Sequence, residues 1–176
     1  MILGNILYAS GVLFYTKSPD NSIYFLLGKN HENKWSDFGG RAELVDKCDT
    51  FSTAAREAWE ETIGCVYDYE LLRCRIKNYD HCIVSKTQGG KPYYMYLLYI
   101  PYSNGYRDKF ISTKKFISKT NVDSKFLEIN DVKWVSLDTV KISSIGNERP
   151  PIKLRNIFAF NIQQNLSEIL EKINTV

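Results

Sequence analysis

The apolar positions of this chain change period several times, and each change marks an element. Ser10 to Thr16 (SGVLFYT) is dense in β-branched and aromatic residues and predicts a strand. Pro19-Asp20-Asn21 is turn chemistry, and Ile23 to Leu27 (IYFLL) predicts a second strand antiparallel to the first. A polar loop carrying His31 and Trp35 leads through Phe38 to a double glycine, Gly39-Gly40. Phe51, Ala55, Ala58 and Trp59 then share one side of a helix over about 50–63. Val66 to Ile76 reads as a strand, as do His81 to Lys86 and Tyr93 to Ile100 (YYMYLLYI), with a turn at Gln88-Gly89-Gly90-Lys91. Arg107 to Lys125 reads as an insertion-like loop with room for a short helix, and Phe126 to Ser136 leads into a late strand. Past Arg149-Pro150-Pro151, apolar residues from Ile157 to Ile173 recur at helical spacing and predict a C-terminal helix over about 154–173.

The helix over 50–63 has an unusual polar face. Glu57, Glu60 and Glu61 stand at i, i+3 and i+4, which places three carboxylates within an arc of roughly 100°. Like charges at this spacing destabilise a helix, and Arg56 is the cation beside them in sequence. A hard cation with oxygen ligands would neutralise them, and Mg²⁺ is the usual ion at phosphate chemistry. Asp49 or Thr50 caps the start of the helix, and Gly39-Gly40 lets backbone carbonyls approach whatever the glutamates hold.

The run GGRAELVDKCDTFSTAAREAWEETIG, Gly39 to Gly64, resembles the Nudix box. Arg56-Glu57-Ala58-Trp59-Glu60-Glu61 matches its densest part position for position. The loop between Gly40 and Arg56 is longer than the family's usual spacing, so both Asp46 and Asp49 stand for the family's first glutamate. Glu43 fits a glutamate often seen just after the double glycine, and Ile63 is an extra residue before Gly64.

The resemblance implies an α/β fold, an α/β/α sandwich with a mixed β-sheet, formed by residues 1–176 as a single domain. It implies a hydrolase in which water attacks a phosphorus of a nucleoside diphosphate-linked substrate, aided by Mg²⁺ or by Mn²⁺ in its place. Glu57, Glu60 and Glu61 would hold the ions with a carbonyl of Gly39 or Gly40, and Arg56 would orient them. Glu57 or Glu128 would serve as the general base. A non-catalytic nucleotide- or RNA-binding module is the alternative of another class, and such relatives would be expected to lack some of these carboxylates.

Composition narrows this reading only a little. With 176 residues, 44% hydrophobic and 24% charged, the chain is an ordinary single domain. A net charge of +3 permits a polyanionic partner without demanding one. Cys48, Cys65, Cys74 and Cys82 form no CxxC pair, and Cys74, His81 and Cys82 lack a fourth zinc ligand. Free thiols in a reducing, cytoplasmic compartment are therefore expected. The uncharged N-terminus lacks a basic region and a cleavage site and reads as a strand, and no stretch is long enough to span a membrane.

Substrate choice is open at this point. Trp35, Phe38 and the tyrosines from Tyr93 to Tyr99 are candidates to stack a base. The basic run from Arg107 to Lys125, with Lys114 and Lys115 at its centre, is a candidate to follow an RNA backbone. In that case capped RNA becomes the substrate and the enzyme an mRNA decapping hydrolase. Nucleotides, dinucleoside polyphosphates, ADP-ribose, nucleotide sugars and inositol pyrophosphates fit the same box, and the oligomeric state is not encoded in it.

Overall fold

Strand β1 (Ala9–Lys17) is the element on whose two edges the sheet is built. Along one edge lies β6 (Pro92–Tyr99), parallel, from Ala9 opposite Tyr93 to Tyr15 opposite Tyr99. Two strands share the other edge. β2 (Ile23–Asn30) pairs antiparallel with Phe14 to Lys17, and β4 (Phe38–Arg41) pairs antiparallel with Ala9 to Val12. β3 (Trp35–Ser36) pairs with β2, so residues 35–41 pass from the ladder of β2 to that of β1, and Asp37 sits at the crossover. β7 (Ile129–Ser136) lines the far side of β2, and β5 (Cys82–Lys86) lies beyond β6 to complete a mixed seven-stranded sheet. This computed structural model describes residues 8–78, 81–146 and 148–175. Of the uncharged N-terminal stretch expected to be a strand, residues 1–7 lie outside the described residues and Ala9 onward is β1.

Because side chains alternate across a strand, the sheet sends residues into two cores. Leu13, Phe25 and Leu97 point to one side, where α4 (Leu137–Ser144) and α5 (Asn156–Asn174) cover them with Val140, Phe158, Ile162 and Ile169. Val12, Phe14 and Leu98 point to the other. There α1 (Thr50–Thr62), α2 (Tyr69–Asn78) and α3 (Gly105–Ile117) cover them with Ala54, Ala58, Leu72 and Phe110. The architecture is the expected α/β/α sandwich around a mixed sheet. No helix among the described residues is long and apolar enough to cross a membrane.

Two sequence expectations are corrected. The strand over Val66 to Ile76 is helix α2, in which Leu72 and Ile76 are buried four residues apart while Leu71 and Arg73 face solvent. Asp68 starts it by accepting from Leu71 N at 2.8 Å. The short period of LLRCRI mimics strand alternation. The basic loop over Arg107 to Lys125 is largely α3, a full helix pinned by the buried ring of Phe110.

β1 and β4 approach so closely at Gly11 and Gly39 that a side chain fits at neither. A Cβ on Gly11 would lie 2.5 Å from Phe38 O and 2.8 Å from Gly39 Cα, and would also meet the Tyr93 hydroxyl. The clashing atoms include backbone, so relief requires the ladder to shift. Gly11→Ala is expected to lower stability by about 1–3 kcal/mol, the usual cost of overpacking, read as a lower urea midpoint at unchanged slope.

Candidate active site

Helix α1 begins where Asp49 accepts from Phe51 N at 3.2 Å and Ser52 N at 3.3 Å, so Asp49 is the cap. That leaves Asp46 to receive Arg56. A short 3₁₀ turn over Leu44–Asp46 brings Asp46 under the helix. Arg56 Nε and Nη2 then donate to its two oxygens at 2.9 and 3.0 Å. Arg56 Nη1 lies 2.9 Å from Glu57 Oε1 and donates to Glu60 Oε2 at 3.0 Å, while Nη2 also donates to Arg41 O at 3.0 Å. One planar guanidinium thereby ties the loop after Gly40 to the acidic face of α1.

Glu61 is oriented differently. Its Oε2 accepts from Gly39 N at 2.8 Å, with no cation paired to it among the described residues. Gly40 gives the neighbouring room, since a Cβ there would lie 2.5 Å from Glu57 Oε2. Glu43, Arg56, Glu57, Glu60, Glu61, Lys125 and Glu128 line one cleft of about 90 Å³. Glu128 is thus brought to the three helical glutamates from the far end of the chain, and Lys125 bonds Glu43 at 2.8 Å across the same cleft.

The electrostatics are those of carboxylates short of positive charge. Burial raises Glu57 to about 7, a rise that Arg56 opposes and that Glu60 and Glu128 assist. Burial, then the charges of Glu57 and Asp37, hold Glu61 well above the usual carboxylate range, against the Gly39 N–H and Arg155. Burial also raises Glu60, opposed by Arg56 and Lys125. Asp46 goes the other way: burial would raise it, but the hydrogen bonds from Arg56 and Glu43 N hold it low.

The three glutamates that helix spacing places on one face line one cleft. Within it Arg56 engages Glu57 and Glu60, and the Gly39 N–H donates to Glu61. Among the described residues no three acidic, imidazole or thiol groups converge on one point. The donor set suits a hard divalent cation, being several desolvated carboxylates with too little positive charge to balance them.

The residues proposed for substrate contact fare less well. Phe38 is 0% exposed and packs in the core against Phe14, so it offers no ring face to a base. Trp35 is 7% exposed, with the ammonium groups of Lys29 and Lys133 over its ring. Lys114 folds back on β7, donating to the carbonyls of Leu127 and Ile129 and to Asn130 Oδ1, and so closes the end of α3. Lys115 is exposed on α3. The four cysteines are free thiols.

A second, larger cavity, of about 500 Å³, opens on the α5 side of Gly39 and Gly40. Its wall includes Tyr93, one of the tyrosines named as candidates to stack a base, together with Asp37, Arg155 and Asn161, which the sequence analysis did not name. Tyr93 donates to Asp37 Oδ2 at 2.6 Å, and burial raises Asp37 to about 6 despite that bond and the charge of Arg155. Asn161 carried a legible signal: it is a polar residue on the apolar stripe between Phe158 and Ile162.

Solved structures share this arrangement of sheet and helices. A Nudix hydrolase from M. smegmatis, RenU, matches 95% of this chain and 88% of its own, with 15% identity and a TM-score of 0.50. The NUDIX domain of Shewanella oneidensis NrtR, solved with ADP ribose, matches 95% and 90%, with 13% identity and a TM-score of 0.51. The chain has the Nudix fold. Helix α1 carries the box-like run of the sequence, and its Glu57, Glu60 and Glu61 line the acidic cleft. No family model and no curated protein matches the sequence. The extra residue before Gly64 is absorbed at the end of the Nudix helix, where Ile63 itself takes the left-handed conformation (φ 55°) ahead of Gly64 (φ 63°).

Proposed function

We propose that the protein is a Mg²⁺-dependent pyrophosphohydrolase acting on a nucleoside diphosphate-linked substrate. The observation that carries this reading is the single cleft in which Glu57, Glu60 and Glu61 of α1 meet Glu128 beside Gly39-Gly40. Glu57, Glu60, Glu61 and a backbone carbonyl of Gly40 would hold the ion. When bound, it supplies charge stabilisation at the phosphate oxygens and lowers the pKa of water.

The chain's own residues do the rest. Arg56, fixed by Asp46 and Arg41 O, keeps Glu57 and Glu60 in the cleft through each turnover. Water oxygen bonds to one phosphorus as the bond from that same phosphorus to the bridging oxygen breaks, and the departing phosphate keeps the bridging oxygen with the bonding pair. Glu57 or Glu128 takes the proton of the attacking water, both being carboxylates on the cleft wall. Full retention of the acidic set favours catalysis over a binding-only module. Of the two lysines at the centre of the basic run, Lys114 is committed to residues 127–130 and Lys115 alone stays exposed, which weakens the case for capped RNA.

The test is a mass-spectrometric product assay on a mixed nucleotide panel with Mg²⁺, using Glu60→Gln as control. Glu60-dependent release of a nucleoside mono- or diphosphate is expected. A panel untouched by wild-type protein would remove the reading.

A further inference from the structure

Glu128 enters the cleft from a stretch that has little of its own to hold it. The 3₁₀ turn over Ser124–Leu127 has no buried residue, and Asp123 opens it by accepting from Lys125 N at 3.1 Å. Glu128 ends the turn in the right-handed helical conformation (φ −65°, ψ −37°), just before β7. Internal hydrogen bonds of so short a turn are weak. The ladder beyond it is irregular as well. Asn130 is skipped between the pairs Lys29–Asp131 and Asn30–Ile129, so the first residues of β7 form a bulge.

Lys114 supplies the missing bonds. It stands one helical turn after Phe110, whose buried ring pins α3, and its ammonium lies 5.9 Å from the centre of that ring. From there it donates to Leu127 O at 3.0 Å, to Ile129 O, and to Asn130 Oδ1 at 3.0 Å. An ammonium group has three N–H donors, so all of them are placed on residues 127–130. The two carbonyls flank Glu128, and one cation bonded to both fixes the backbone on either side of it. The arrangement has a cost, since burial holds Lys114 below the usual lysine pKa with no acidic neighbour opposing it. A lysine without a task here would keep its head in water. Two contacts on the cleft side hold the same turn: the Phe126 ring meets Trp59 edge-on at 5.1 Å, and Lys125 bonds Glu43 at 2.8 Å. Both precede Glu128, and Lys114 is the anchor that reaches past it.

We propose that Lys114 is a positioning residue for Glu128, holding that carboxylate on the cleft wall where it takes the proton of the attacking water. The O–H bond of the water breaks, its proton passes to Glu128, and its electron pair stays with the oxygen that bonds to phosphorus. The inference rests on the hydrolase reading for that step, and it assigns the step to Glu128 rather than to Glu57.

Kinetics of Lys114→Met, which keeps the stem and removes the ammonium, test this beside Glu128→Gln and the double variant. Lys114→Met is expected to lower kcat about tenfold or more with KM within about twofold of wild type. In the Glu128→Gln background the same substitution should lower kcat no further, because its effect passes through Glu128. An equal fall in both backgrounds, or a raised KM at unchanged kcat, would overturn the assignment. Two measurements use neither divalent ion nor substrate. Hydrogen exchange over residues 127–130 should be at least about tenfold faster in Lys114→Met and unchanged over α1. In the wild-type protein the Lys114 ammonium should give an NMR signal protected from solvent exchange while that of Lys115 is not, a comparison that needs no variant to fold. Unchanged exchange, or an unprotected Lys114, would also overturn the assignment. A wild-type protein that passes both measurements yet turns over no nucleotide would sink the hydrolase reading and leave Lys114 as the residue that places Glu128.

Discussion

Glu61→Gln is expected to lower turnover by on the order of 10³-fold or more while the ion-free protein melts no lower than wild type. The two effects have one origin. Glu61 is buried, accepts a single amide hydrogen bond from Gly39, and has Glu57 and Asp37 as electrostatic neighbours. Gln keeps an oxygen for the Gly39 N–H and removes a charge that the fold stabilises poorly. The sign of the pH dependence follows. Unfolded glutamates lose their protons near 4.5, whereas Glu57 in the fold holds its proton to about 7 and Glu61 is raised as well. Through that window the folded state binds more protons, so these groups contribute stability below about 4.5 and lose it as pH rises through about 7. Thermal melts in EDTA from pH 4.5 to 8.5 should show the decline, and Glu61→Gln should flatten part of it. At the alkaline end Mg²⁺ should raise Tm in wild type and leave Glu61→Gln unmoved. Near-native turnover in the variant would dismiss Glu61 from the site.

Arg56→Ala is expected to cost about 3–5 kcal/mol, the range for breaking a buried ion pair by removing one partner. Asp46, only 2% exposed, would be left charged with Thr53 Oγ1 and Glu43 N as its remaining donors. Arg41 O would lose its partner, and Glu57 and Glu60 would face one another without a cation between them. Arg56→Lys should recover little, because one ammonium group cannot meet a bidentate carboxylate, a carbonyl and Glu60 from one position. Urea unfolding measures the loss. A cost below about 1 kcal/mol would rank the Arg56 network with ordinary surface pairs.

What the sequence made legible was local. Glu57, Glu60 and Glu61 share a face because helical geometry places them there, and the residues before the helix announce its cap. The partner of Arg56 was not legible, since Asp46 and Asp49 both lie within reach of a flexible loop. The structure separates them by giving Asp49 to the helix N–H groups. Helix α2 was misread because tertiary packing of Leu72 and Ile76 overrides a run that alternates like a strand. The rings of Trp35 and Phe38 were read as ligand contacts when the sheet needed them as core. The α5-side cavity draws on residues 8–9, 36–41, 87–93 and 155–161, which no sequence window spans.

The Gly39-Gly40 backbone lies between the acidic cleft and that cavity. This wall, one strand thick, separates two compartments that share no lining side chain. The turn at residues 87–91 and the opening turns of α5 shape the cavity and give no carboxylate to the cleft. Either segment can therefore be rewritten to reshape the cavity while the carboxylates of the cleft stay as they are.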